Sequence, residues 1–333
     1  MNSSNLTEKV NVMSKEIPDS VHYIFGVVYM LLNVVATTGN VVVLYVFFRS
    51  KKLHSAIYFM ISALCLGDLL MSSVGLTILS IASFATYWVL GDWGCIAYGT
   101  LMTFLGLMQI TLLTVIAVTR YIFVVHNNNI GPCSAKVITL LCTLYALGFS
   151  VAPLLGWSKF VLEPIGTSCG PNWVGIEWSD VSFNMTLFFL CFLAPLSFIL
   201  FSYIMIFWKI KKKRIQKKNE TYEIHVSTTI LFMIVAFLGS WTPYAFMALY
   251  IVITKNNQIH PLLAALPLVF AKCAPIWNPY IYFMRDTKFN HECRKMLPIL
   301  SRLGLWRVNP GSSQEDHVMH LNDTLSRKTS TYV

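Results

Sequence analysis

Lys272 is the only lysine or arginine in the apolar stretch from Pro261 to Met284. An ammonium group near the middle of a membrane-length segment costs roughly 2.5–3.5 kcal/mol on insertion scales, so its default reading is a functional one. Two structural uses compete with that reading. The long stem can carry the charge to the interface, or one carboxylate can pair with it.

The elements that must hold this lysine follow from composition. Of 333 residues, 56% are hydrophobic and 12% charged, and the mean hydropathy is +0.61. Apolar stretches run over residues 21–48, 56–85, 95–125, 136–156, 181–208, 224–254 and 261–284. Each exceeds the roughly 20 residues that a helix needs to cross the hydrocarbon core. The expected fold is all-α: a seven-transmembrane helix bundle over 21–285, preceded by an extracellular tail, 1–20.

The first 20 residues are polar and lack the pattern of a cleavable signal, so the first helix is expected to serve as its own insertion signal. With the amino terminus outside, 20 of the 25 Lys and Arg fall on the cytoplasmic side and four outside, leaving Lys272 in the membrane. That bias sets the orientation, expected in the plasma membrane. The net charge of +10 is thereby a topology signal facing anionic lipid, and it gives no reason to invoke nucleic acid.

The sequons at Asn2 and Asn5 lie in the external segment and are expected to be glycosylated. Those at Asn184, close to the membrane, and Asn322, cytoplasmic, are expected to be silent. Of the eight cysteines, Cys95 at the head of the third helix and Cys169 in the loop before the fifth share the oxidising side. A disulfide between them would pin that loop over the bundle. Cys293, in an amphipathic stretch after the seventh helix, is a candidate for palmitoylation; the others read as small buried apolar residues.

A constellation of residues then brings a family into view. Gly39-Asn40, Asp68, Arg120-Tyr121, Pro195 with Tyr203, Ser240-Trp241-Thr242-Pro243-Tyr244 and Asn278-Pro279-Tyr280-Ile281-Tyr282 fall on successive helices. In this register the chain resembles the rhodopsin-like G-protein-coupled receptors, and within them the opsins. The stretch Glu163 to Cys169 with Trp173 looks most like the non-visual neuropsin and peropsin branch. The resemblance implies retinal, 11-cis or all-trans, as cofactor. Lys272, six residues before Asn278, matches the lysine that holds it as a Schiff base. The residue type fits, because an amine with a neutral fraction condenses with an aldehyde and an always-charged guanidinium cannot.

A protonated Schiff base is a buried cation and needs a partner. The third helix from Cys95 to Val118 has no Asp or Glu, and Tyr98 stands where vertebrate visual opsins carry their counterion glutamate. Glu163, six residues before Cys169, matches the second-loop counterion of many non-visual opsins, with Tyr98 adding a neutral hydrogen bond. Asp68 is the rival by depth. The resemblance groups Asp68 instead with Asn40 and Asn278, in a network that binds water or sodium. Residues in register with a retinal pocket are Thr103, Gly106, Phe192, Trp241 and Tyr244, whose aromatic walls and one small residue suit a polyene.

On the cytoplasmic side the resemblance implies a latch between Arg120 and Glu223, broken when the sixth helix swings about Pro243. Tyr203 and Tyr282 would then turn inward. Thr119 replaces the family's acidic residue before the arginine, which removes one restraint. The basic end of the fifth helix, residues 209–218, would meet a heterotrimeric G protein or lipid. Residues 286–297 read as an amphipathic helix on the membrane surface, anchored by Phe289. The tail, 298–333, is polar and reads as disordered. Its Ser312, Ser313, Thr324, Ser326, Thr329, Ser330 and Thr331 are candidate sites for receptor kinase and arrestin, and Thr331-Tyr332-Val333 for a PDZ protein. The leading expectation is a light-sensing, bistable receptor and not an enzyme. The alternative is a retinal photoisomerase with little or no signalling.

Overall fold

The computed structural model describes residues 17–212, 218–254 and 261–297; the side chains of 218–223, 261 and 264 are outside that description. Helix α1 is Asp19–Arg49, α2 is Ala56–Ala85, α3 is Gly91–His126 and α4 is Pro132–Val151, continued by a tight turn Ala152–Leu155. Helix α5 is Trp178–Lys212, α6 is Lys218–Thr254, α7 comprises Pro261–Lys272 and Ala274–Arg285, and α8 is Thr287–Met296. Hydrocarbon offers no partner for backbone N–H and C=O groups, so each span satisfies its own by winding into a helix. The outward faces stay apolar, with Phe48, Phe207 and Trp208 each more than 60% exposed. Leu105, Leu112, Ile116 and Ala117 place α3 in the core, all fully buried. The first compact unit ends at Phe289.

Among the described residues, six helices are long and apolar enough to cross a membrane. The seventh stretch was expected as one span. Instead it breaks at Cys273 into halves of 12 residues each. Pro275 has no N–H to offer the Ala271 carbonyl. Around the break the chain tightens, with Cys273 N–H donating to Phe270 O at 3.0 Å and Ile276 N–H to Cys273 O at 3.1 Å. Lys272 is therefore the last residue of a half-helix.

A second proline explains the Gly39-Asn40 pair. Pro279 leaves the Pro275 carbonyl without its usual donor, and Asn40 Nδ2 supplies one from α1 at 2.9 Å. The helices come close enough for this because residue 39 has no side chain. A Cβ there would lie 2.9 Å from Pro279 Cβ. Gly39→Ala is accordingly expected to cost about 1–3 kcal/mol by overpacking against a rigid ring, read as a lower melting temperature of the detergent-solubilised protein.

Two wide turns re-aim side chains, Met71–Leu76 in α2 and Leu187–Leu193 in α5. In α5 the wide turn precedes Pro195, and Tyr145 of α4 donates to the exposed Leu190 carbonyl at 3.0 Å.

Between α4 and α5 the chain forms an antiparallel hairpin, β1 Phe160–Leu162 with β2 Cys169–Pro171, in the register Phe160 to Pro171 and Leu162 to Cys169. The Cys95–Cys169 disulfide fixes it to the head of α3. Phe160 rests on α3 at Gly99, where a Cβ would lie 2.6 Å from its ring. On the other side Asp180 of α5 accepts from Ser158 Oγ at 2.7 Å and from Asn172 Nδ2 at 2.8 Å. Asn184 Nδ2 is also engaged, donating to Asn172 O and Asp180 O.

At the other end Asp286 caps α8, accepting from Phe289 N–H at 2.8 Å and from the Tyr58 hydroxyl at 3.0 Å. Burial pushes its carboxyl above the usual range, against the pull of these two bonds. Phe289 was expected to anchor in lipid. It is fully buried instead, its ring 5.6 Å from Phe47 and 5.3 Å from Phe283.

Candidate functional site

A cavity lies under the hairpin between α3, α5, α6 and α7, walled by Thr103, Gly106, Phe192, Trp241 and Tyr244, with Lys272 and Glu163. The cavity volume is about 170 Å³. That is an order of magnitude more than the roughly 10–15 Å³ one water needs. Trp241 forms the floor, 6.0 Å from Phe237 and 6.1 Å from Tyr244 between ring centres. It can approach α3 because residue 106 is glycine: a Cβ would meet the indole at 3.1 Å. The wide turn of α5 contributes Phe188 and Phe192, 5.8 Å apart. Trp173, just past the hairpin, closes the top at 6.5 Å from Tyr244.

Glu163 is held by its backbone in a Pro-Gly turn. Its N–H donates to Ser168 O and its carbonyl accepts from Gly166 N–H, both at 2.8 Å. Pro164 and Gly166 occupy the second and fourth turn positions, where they are favoured. This aims the carboxylate inward, 4% exposed, where Tyr244 Oη donates to Oε1 at 3.2 Å. Oε2 is buried without a partner. Lys272 is 7% exposed, and its Nζ lies over the Tyr98 ring, 5.6 Å from the centre. Lysine and glutamate thus share a cavity wall, and among the described residues no ion pair joins them. Tyr98 offers its ring face where a hydroxyl contact was expected; the hydroxyl is buried without a partner.

Asp68 lies outside this wall. Asn278 Nδ2 donates to its Oδ2 at 2.6 Å, and Gln109 Nε2 donates to its Oδ1. Gln109 went unremarked in the sequence, although it is the one amide side chain within the apolar run of α3. Each carboxylate oxygen thus accepts one amide hydrogen bond and keeps a further lone pair. Asn40, expected in the same network, spends its amide on the Ala36 and Pro275 carbonyls.

Toward the end of the bundle away from the hairpin, Tyr203 donates to Ser227 O at 3.1 Å and so ties α5 to α6. Arg120 is buried, 5.9 Å from the Phe123 ring, and Thr119 beside it is buried too. Tyr282 is 1% exposed and packs edge-on against Phe47. The side chain of Glu223 lies outside the described residues, as do Asn2, Asn5 and the tail sites.

Comparison with known proteins bears on this geometry. A profile of the 7 transmembrane receptor (rhodopsin family) matches residues 39–282. The chain is 31% identical over 291 residues to pinopsin of Columba livia, covering 84% of this chain and 80% of that one. It is 29% identical over 324 residues to Opsin-VA of Rutilus rutilus, covering 91% and 83%. Among solved structures it is similar to squid rhodopsin, with a TM-score of 0.83 over 90% of this chain and 91% of that one; at 24% identity this likeness speaks to the fold.

Proposed function

The chain belongs to the opsins, within the rhodopsin family of seven-transmembrane receptors, and from this we propose that it is a light sensor that holds retinal on Lys272 and signals to a heterotrimeric G protein. The observation that carries the proposal is the placement of Lys272 and Glu163 in the wall of one apolar, aromatic-lined cavity.

The residues fit the cofactor. Glu163 Oε2 is a buried, unpartnered acceptor, and Gly106 opens the floor where any side chain would meet Trp241. Bound retinal supplies the absorption of light and a change of shape on absorbing it. The chain supplies the rest. Lys272 provides the amine for a Schiff base, Glu163 a negative charge in the same cavity lining, and the rings of Phe192, Trp241 and Tyr244 apolar surface for a polyene. The hairpin and Trp173 keep water out, which strengthens every charge interaction inside.

The route to the cytoplasm runs along α6. Trp241 stands two residues before Pro243, whose missing N–H weakens the helix at that level. A push on the indole is therefore delivered next to a hinge. The tie from Tyr203 to Ser227 is on the moving side of it. Glu163 as counterion and Tyr98 in place of a third-helix acid support a bistable pigment. The basic end of α5 is offered to the G protein, with the amino terminus outside and the plasma membrane as site of action. Receptor kinase and arrestin are proposed for the tail, and a PDZ protein for its end. One observation favours a photoisomerase instead, namely Thr119 beside Arg120, where an acid would restrain the arginine.

The test is to purify the protein with 11-cis and then all-trans retinal, record spectra before and after light, and follow nucleotide exchange on several G proteins. A visible band that a second wavelength restores, with light-dependent exchange, is the expected result. Photoconversion without exchange would favour the photoisomerase. A protein that forms no pigment with either isomer overturns both.

A further inference from the structure

Arg285, the last residue of α7, engages α6 twice. Its carbonyl accepts from His225 Nε2 at 2.5 Å, and its guanidinium carbon lies 4.5 Å from the centre of the Phe232 ring. His225 and Phe232 are seven residues apart on α6, which puts them on one face of the helix. The histidine also sits where leverage is large. It lies 18 residues from Pro243, roughly 27 Å along the helix axis, so a bend at the proline must break its contact with α7.

The carbonyl that His225 meets belongs to a helix C-terminus, where the last carbonyls have no partner inside their own helix. That end carries partial negative charge and favours a cation. The next residue is Asp286, and His225, Tyr58 of α2, Tyr282 of α7 and Asp286 line one small cavity. Asp286 accepts from the Tyr58 hydroxyl at 3.0 Å and from Phe289 N–H at 2.8 Å. The other charged and titratable groups near this contact are Arg285 itself, Lys288 of α8, Arg120 of α3 and Tyr203 of α5, which reaches α6 at Ser227. Between pH 6 and pH 8 tyrosine is ordinarily neutral and lysine and arginine charged, whereas an imidazole changes its charge.

We propose that His225 is a proton-controlled clamp on α6: as an imidazolium it holds the foot of the helix against the end of α7 and keeps the receptor at rest, and as a neutral ring it holds less firmly. The inference rests on the receptor reading and adds a control to it. Either form can donate from Nε2, but the cation makes the stronger bond to a carbonyl. The resting state, which keeps the contact, therefore binds the proton more tightly than the state in which α6 has swung away. Its restraint is complete at acid pH and weakens as pH rises through the imidazole range.

The experiment measures nucleotide exchange on a G protein by the purified pigment, in the dark and in light, from pH 6 to pH 8. Dividing each variant by the parent at the same pH removes the pH dependence of the G protein itself. His225→Phe keeps a ring and loses the donor. Its dark exchange should exceed the parent's by about tenfold at pH 6, the factor that one hydrogen bond to a charged group is worth, and the excess should shrink toward pH 8. His225→Gln, with a neutral donor, should lie between the two, and it carries the comparison if the phenylalanine variant forms no pigment. A role in packing alone would leave these ratios constant with pH. Variants whose dark exchange matches the parent's, or whose ratio to it does not change with pH, overturn the proposal. So does an Asp286→Asn parent in which the pH dependence is gone, since the carboxyl would then be the titrating group. A parent without light-dependent exchange overturns the receptor reading itself, and this inference with it.

Discussion

Replacing Lys272 by leucine or arginine is expected to abolish the pigment completely, with no visible band after incubation with 11-cis or all-trans retinal. Leucine lacks the amine, and a guanidinium stays charged at all accessible pH values and does not condense with an aldehyde. The parent protein, treated with borohydride, should carry a retinyl mass on the peptide containing Lys272, and both variants should carry none. The two variants are expected to part company in stability. Lys272 is 7% exposed, and among the described residues no carboxylate is within ion-pair distance of it. Its ammonium is therefore a cost to the retinal-free bundle, of the order of the roughly 2.5–3.5 kcal/mol seen on insertion scales. Lys272→Leu should raise the melting temperature of the retinal-free protein, while Lys272→Arg should leave it unchanged or lower. A Lys272→Leu variant that still forms a pigment would overturn the assignment of this residue.

That cost is also why the site was legible before any coordinates. A lysine amid Leu, Ala and Val in a membrane segment is a conflict between local chemistry and solvent, and such conflicts collect at functional positions. The helices were legible for a related reason, because a bilayer forces each span to satisfy its own backbone. What sequence reading passed over are the places where one missing N–H is answered by another element. The break at Cys273 depends on Pro275, and the Asn40 contact depends on Pro279. The wide turns in α2 and α5 leave composition untouched, yet the second brings Phe188 and Phe192 to the cavity. Gln109 was recoverable in principle. A buried acid such as Asp68 must find donors, and an amide in the facing helix is the natural place to look. The rotamer of Tyr98, which sets its ring under the lysine nitrogen, was not recoverable, since alternation and spacing say which face a residue occupies and not how its side chain turns.

The choice between Glu163 and Asp68 has the second large consequence. Both are buried, but they are paired differently. Asp68 accepts from two amides, from Gln109 and Asn278, while Glu163 accepts from Tyr244 and keeps Oε2 without a partner, in the lining of the cavity that Lys272 shares. A cation formed at the lysine nitrogen therefore finds its available charge at the hairpin. Glu163→Gln preserves shape and the hydrogen bond from Tyr244 while removing that charge. Leaving one partner of a buried pair uncompensated costs about 3–5 kcal/mol. With 1.36 kcal/mol per pH unit, that corresponds to a fall of about two to four units in the midpoint at which the pigment loses its proton. The sign is fixed by the charge being stabilised. The protonated form is the cation, so losing the anion disfavours it and the midpoint moves down. At neutral pH the Glu163→Gln pigment should accordingly absorb in the near ultraviolet, and its visible band should return on acidification. Asp68→Asn, titrated in parallel, should move the midpoint by much less, because that carboxylate is already committed to its amides across the bundle. A Glu163→Gln pigment that keeps the parental midpoint, or an Asp68→Asn pigment that loses it, would transfer the counterion role from the hairpin to the second helix.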